Sequence, residues 1–87
     1  MEEKYLPIGS VVLLKNASKM IMINGYCAVA KANNKSFDYR GCPYPEGIIS
    51  SNGVALFNHD DIKEVVYRGY LNDESQKFIN TLKNITN

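Results

Sequence analysis

Tryptophan is absent from the 87-residue chain, and histidine, cysteine and proline number only one, two and three. His59, Cys27 and Cys42 occupy no C-x-x-C or H-x-x-x-H spacing, so zinc ligation has no sequence pattern to rest on and no cofactor is expected. The six glycines, Gly9, Gly25, Gly41, Gly47, Gly53 and Gly69, never cluster into a phosphate-cradling loop. Charge of one sign is missing too: ten Lys and Arg against nine Asp and Glu leave +1, without the basic footprint of a nucleic-acid or acidic-membrane binder. Long apolar runs are lacking. Ile8 to Leu14 is broken by Gly9 and Ser10, and Cys27 to Ala30 is short, against the ~20 residues a spanning helix needs. No membrane association is expected.

The opening Met1-Glu2-Glu3-Lys4 has no basic region followed by an apolar core, so no secretory signal is read there and a cytoplasmic protein is expected. In that compartment thiols stay reduced, and Cys27 and Cys42 are expected to be free. What is present is a 45% hydrophobic, 22% charged composition suited to one folded domain over residues 1–87. A domain of this size buries only about 60% of its unfolded surface, so association with a partner or a second copy is a reasonable expectation.

Val11 to Lys15, after Leu6-Pro7-Ile8-Gly9-Ser10, reads as a first strand. Met20 to Ile23 and Tyr26 to Ala30 flank Asn24-Gly25, which suits either a tight hairpin turn or a bulge in one long strand; the bulge is favoured because the long strand then curls around a small sheet. Ala32 to Lys35 forms a polar loop before a half-buried strand at Ser36 to Arg40. Gly41 to Gly47, with two prolines and two glycines, is expected to stop any ladder and turn rigidly. The order of Ile48 to Phe57 is left open. Asn58 to Asp61 has the capping chemistry of a one-turn helix, and Lys63 to Tyr70 reads as the last strand.

Asp73-Glu74-Ser75-Gln76 has the form of a capping box, and Phe78, Ile79, Leu82 and Ile85 recur at helical spacing. A helix over about 74–86 follows a strand-rich 6–70. The chain is therefore expected to be α+β, a small curled antiparallel sheet or partly open barrel of four to five strands with one C-terminal amphipathic helix. That helix face is expected to pack on the sheet, the alternative being a partner helix.

His59 beside Asp60 and Asp61 is the one set combining imidazole with carboxylates, but helix capping explains it without catalysis. Tyr39, Tyr44, Tyr67 and Tyr70 with Phe37 and Phe57 form an aromatic set suited to a sheet face or a protein interface. Aromatic sheets that bind RNA interleave basic residues with the rings, whereas Arg40 and Arg68 are the only arginines here. No nucleic acid is expected.

The strings Leu6 to Lys15, Phe37-Asp38-Tyr39-Arg40-Gly41-Cys42-Pro43-Tyr44-Pro45-Glu46-Gly47, Phe57-Asn58-His59-Asp60-Asp61-Ile62 and Val65 to Tyr70 resemble a family of small domains of unknown function from low-GC Gram-positive bacteria. The resemblance runs from Leu6 to about Leu82. It implies genomic company rather than chemistry, since such proteins are often encoded beside type VII secretion genes and toxins with LXG export domains. It brings no catalytic residue. The function it implies is a non-enzymatic cytoplasmic adaptor or chaperone that binds an exported toxin or a secretion component. The protein-binding residues it suggests are Tyr39, Cys42, Tyr44, Glu46, Phe57, His59 and Asp61, although the Pro and Gly of that segment are equally explained by backbone shape. An immunity protein for a toxin, and a small ligand-binding domain or enzyme with a pocket around Tyr44 and His59, are the alternatives.

Overall fold

A computed structural model describes residues 4–50 and 53–86, with the Thr86 side chain outside the description. Strands β1 (Val11–Leu14), β2 (Met20–Val29), β3 (Ser36–Pro43), β4 (Ala55–Phe57) and β5 (Ile62–Tyr67) precede helix α1 (Asp73–Thr86). All strand pairs are antiparallel, in the order β4-β3-β2-β1-β5, so the five-stranded sheet is open rather than closed into a barrel. The expected α+β class is what the chain adopts.

Alternation along the strands assigns two faces. Val12 opposite Ile21 points inward, and Val11 opposite Met22 and Leu13 opposite Met20 point outward. Tyr39, Ile23, Phe57 and Ile62 share the inner face with Val12 and Ile21, and Ile79 and Leu82 of α1 close over it. Burying those two helical side chains stabilises the fold by roughly 4 kcal/mol, at about 2 kcal/mol each. Phe78 and Ile85, placed on the same stripe by periodicity, are instead 54% and 73% exposed, because only one edge of the stripe meets the sheet. Phe78 still lies 6.1 Å from the Tyr26 ring.

The Asn24-Gly25 alternatives resolve to the bulge: β2 is one strand whose pairing with β3 shifts register between Ile23 and Gly25. Glycine lets the strands cross closely there, since an added Cβ would lie 3.3 Å from the Cβ of Arg40 and push it back by a few tenths of an ångström. The hairpin loop that follows uses Asn34 in left-handed backbone, φ 57°.

Two expectations are corrected. Gly41-Cys42-Pro43 does not stop the ladder: β3 continues through these residues, opposite Ile23, Met22 and Ile21, and turns only at Tyr44. Packing overrides the local breaking tendency, since Gly41 lets Ile21 and the Met22 carbonyl approach where a side chain would collide. The helix cap is Asn72 rather than Asp73; its Oδ1 accepts the Ser75 N–H at 2.9 Å and its own N–H donates to Ser75 Oγ at 2.8 Å. Residues 5–7, on which the sequence carries no burial expectation, are buried, with Leu6 1% exposed.

The Asn58 to Asp61 reading holds as a single 3₁₀ turn, His59–Asp61, whose Asp61 carboxylate accepts the Asn58 N–H at 2.9 Å. At the sheet edges, β4 has three residues, and β5 pairs with β1 through two register shifts. No helix among the described residues is long and apolar enough to cross a membrane.

Candidate functional site

The outer face of the sheet is not covered by α1, and a groove of about 400 Å³ runs across it, lined by Gly9, Val11, Met20, Met22, Tyr44, Val66 and Tyr67. Its floor comes from strand alternation, which turns Met20 and Met22 outward while Ile21 and Ile23 enter the core. Methionine suits such a floor, since its unbranched thioether can repack around differently shaped occupants. Val66 and Tyr67 form one wall, 47% and 65% exposed. Opposite them stands Tyr44, whose N–H donates to the Met20 carbonyl at 2.9 Å and carries the β2–β3 ladder one bond further.

The turn that presents Tyr44 is fixed by a cis Tyr44-Pro45 peptide, by Gly47 at φ 75°, and by the Gly47 N–H donating to the Pro43 carbonyl at 2.8 Å. Lys19 meets Glu46 at 2.6 Å, tying this turn to the β1–β2 connection; the hydrogen bond from Lys19 holds the Glu46 carboxyl below its ordinary range. Both partners are exposed, so the pair fixes geometry more than it adds stability.

On the inner face a polar network surrounds His59. The Tyr39 hydroxyl accepts the Leu6 N–H at 3.0 Å and lies 2.8 Å from His59 Nδ1. The assignment that leaves fewest groups unpaired has Tyr39 donating to Nδ1, which puts the ring proton on Nε2. That Nε2 is buried and has no hydrogen-bond partner among the described residues. Asp38 accepts the His59 backbone N–H at 2.9 Å, meets Lys4 at 3.3 Å, and donates its own backbone N–H to Asn58 Oδ1 at 3.0 Å. Burial holds the imidazole below its ordinary 6.5 despite the opposing pull of Asp38 and Asp60. Burial also pushes the phenols of Tyr39 and Tyr26 up to about 12. Tyr26 donates to the Leu6 carbonyl at 2.5 Å, so both backbone groups of Leu6 are satisfied by tyrosine hydroxyls. A smaller cleft of about 290 Å³ lies nearby, among Lys4, Tyr5, Cys27, Ser36, Phe37 and Asp38.

The structure divides the residues singled out by the resemblance. Tyr39, Cys42 and Phe57 are each at most 2% exposed, so their side chains build the interior rather than a surface. Tyr44 and Glu46 stand on the turn beside the outer groove, and His59 and Asp61 stand on the 3₁₀ turn, with Asp61 exposed. Neither of these two clefts holds both Tyr44 and His59: Tyr44 lines the outer groove, and His59 is paired with Tyr39 on the helix-covered face. Cys27 is exposed and Cys42 buried, both as free thiols. Among the described residues no three His, Cys, Asp or Glu groups gather as a metal site.

Residue-level reading of the sequence missed Val11, Met20, Met22 and Val66 as groove residues. The signal was the Met20-Ile21-Met22-Ile23 alternation, which marks two faces but does not say that the methionine face stays uncovered.

No curated protein and no solved structure matches the chain. A family model described as a domain of unknown function, DUF4176, matches residues 5–78, which takes in the whole sheet and the start of α1, and the chain belongs to that family.

Proposed function

We propose that this chain is a non-enzymatic, cytoplasmic protein-binding accessory factor that docks its partner on the outer face of the sheet. The observation that supports this reading is the groove over Met20 and Met22, walled by Tyr44, Val66 and Tyr67, an adaptable apolar floor with aromatic rims. Interface cores are depleted in charge and enriched in tyrosine and methionine, which is the composition found here. The occupant it suits is an apolar segment of a protein partner. Resemblance to domains encoded beside type VII secretion genes directs the choice of partner toward an exported toxin or a secretion component, for which the protein acts as an adaptor or chaperone before export.

The test pairs the purified protein with the LXG-type toxin encoded nearest to its gene. Binding in near-equal stoichiometry, weakened about tenfold or more by Tyr44→Ala together with Tyr67→Ala at unchanged circular dichroism, supports the proposal. Absence of binding, or binding indifferent to both substitutions, overturns it. Inhibition of the toxin's activity in the same complex distinguishes an immunity protein from an adaptor.

A further inference from the structure

Residues Tyr5 to Pro7 enter the core without belonging to any strand, and side chains of two strands, β2 and β3, hold them and Lys4. Tyr26 of β2 donates to the Leu6 carbonyl, Tyr39 of β3 accepts the Leu6 N–H, and Asp38 of β3 meets Lys4. Of these three holds, that of Tyr39 depends on a group that changes charge near neutral pH, because the hydroxyl that accepts from Leu6 is paired with His59 Nδ1 and donates to it in the assigned tautomer.

We infer that His59 is the catch of a proton-operated latch: uptake of one proton at Nδ1 frees residues 4–7 from the sheet while the strand ladders stay intact. In the neutral ring Nδ1 offers a lone pair to the Tyr39 O–H. A proton bound there removes that lone pair and makes Nδ1 a donor. Tyr39 Oη, already accepting from Leu6, must then accept a second bond and turn its own proton away from the imidazole, within the apolar core. The buried Nε2–H, without a partner among the described residues, becomes part of a cation at the same moment. Opening lets water reach both ring nitrogens, so the protonated ring favours the open arrangement.

The charged and titratable groups around the ring act in both directions. Asp38 and Asp60 draw a proton toward it, Lys4 opposes one, and Tyr39 stays protonated throughout this range. Asp38 is already engaged by Lys4 and by the His59 backbone N–H. With burial the largest influence, the folded ring titrates below its ordinary 6.5, so the stabilisation is present above that value and is lost as pH falls beneath it.

The test follows amide hydrogen exchange by NMR, as protection factors, from about pH 7.5 to about pH 5, in the wild type and in His59→Asn, whose Oδ1 replaces the Nδ1 acceptor without titrating. Expected is a several-fold loss of Leu6 protection along the imidazole titration, with the Met22 and Cys42 amides of the β2–β3 ladder unchanged. In His59→Asn the Leu6 protection is expected to stay level. Three results overturn the latch: Leu6 protection that ignores the imidazole titration, ladder amides that lose protection in parallel, or the same loss in His59→Asn. If that variant does not fold, the coincidence of the wild-type ring titration with Leu6 exchange decides alone. The readout needs no partner, so it stands or falls separately from the docking proposal.

Discussion

The Tyr39 hydroxyl lies 3.0 Å from the Leu6 amide and 2.8 Å from His59 Nδ1, so a single oxygen joins chain segments 33 residues before it and 20 after it. Removing that oxygen leaves the ring volume in place and takes away only the bonds. Tyr39→Phe is therefore expected to lower unfolding free energy by about 2 kcal/mol in urea titration, since the buried Leu6 N–H loses its acceptor. Tyr44→Phe, on the rim of the outer groove, is expected to change it by less than about 0.5 kcal/mol.

Of the two glycines within the strands, Gly41 has the closer neighbours. A Cβ there would stand 2.6 Å from Ile21 Cγ2 and 2.7 Å from the Met22 carbonyl oxygen, one of them backbone that cannot turn aside. Gly41→Ala is expected to cost about 2 kcal/mol or more through forced strand separation. At Gly47 nothing lies within 4 Å and only the positive φ is at stake, so Gly47→Ala is expected to cost nearer 1 kcal/mol. The midpoints of thermal unfolding check the order.

Alkaline titration should report the two buried phenols. Tyr26 and Tyr39 ionise near 12 in the folded chain against an ordinary 10.0. Because their folded values are raised, the stability they contribute is complete below 10 and is lost as pH climbs toward 12. Absorbance at the phenolate band is expected to show a late component coincident with loss of far-UV dichroism, and Tyr26→Phe should shrink that component.

The Asn72 cap offers a local check. Asn72→Ala removes the acceptor of the Ser75 N–H and is expected to cost about 1 kcal/mol, whereas Asp73→Ala, one position inside, should cost markedly less. Urea midpoints of the two variants distinguish them.

Much of the fold was legible because it rests on local chemistry. The bulge at Asn24-Gly25, the polar turn at Asn58 to Asp61 and the amphipathic helix each carry their cause within a few residues. What escaped depends on distant neighbours. Gly41-Cys42-Pro43 looks like a chain break until Ile21 and Met22 are laid against it. Tyr5 to Pro7 shows no periodicity, and its burial follows from hydroxyls on Tyr26 and Tyr39 that lie 20 and 33 residues from Leu6. The Asn72 cap escaped because Asp73-Glu74-Ser75-Gln76 matches the form of a capping box one position further on. The outer groove was the least visible feature. Aliphatic and methionine residues on both faces of β1 and β2 read as ordinary interior, and only the path of α1 decides which face is left open.

The two outermost strands carry a consequence for how this protein behaves when crowded. A sheet grows by adding strands at its margins, and a margin must be long and regular to recruit another chain. Here β4 offers three residues, and β5 is kinked by two irregularities within six. Molecules pressed together are thus denied the edge-to-edge zippering that leads to fibrils, even though each exposes apolar side chains on one broad side. Such an arrangement tolerates a sticky surface at high abundance, because adhesion across a face ends with one partner whereas adhesion along a margin propagates.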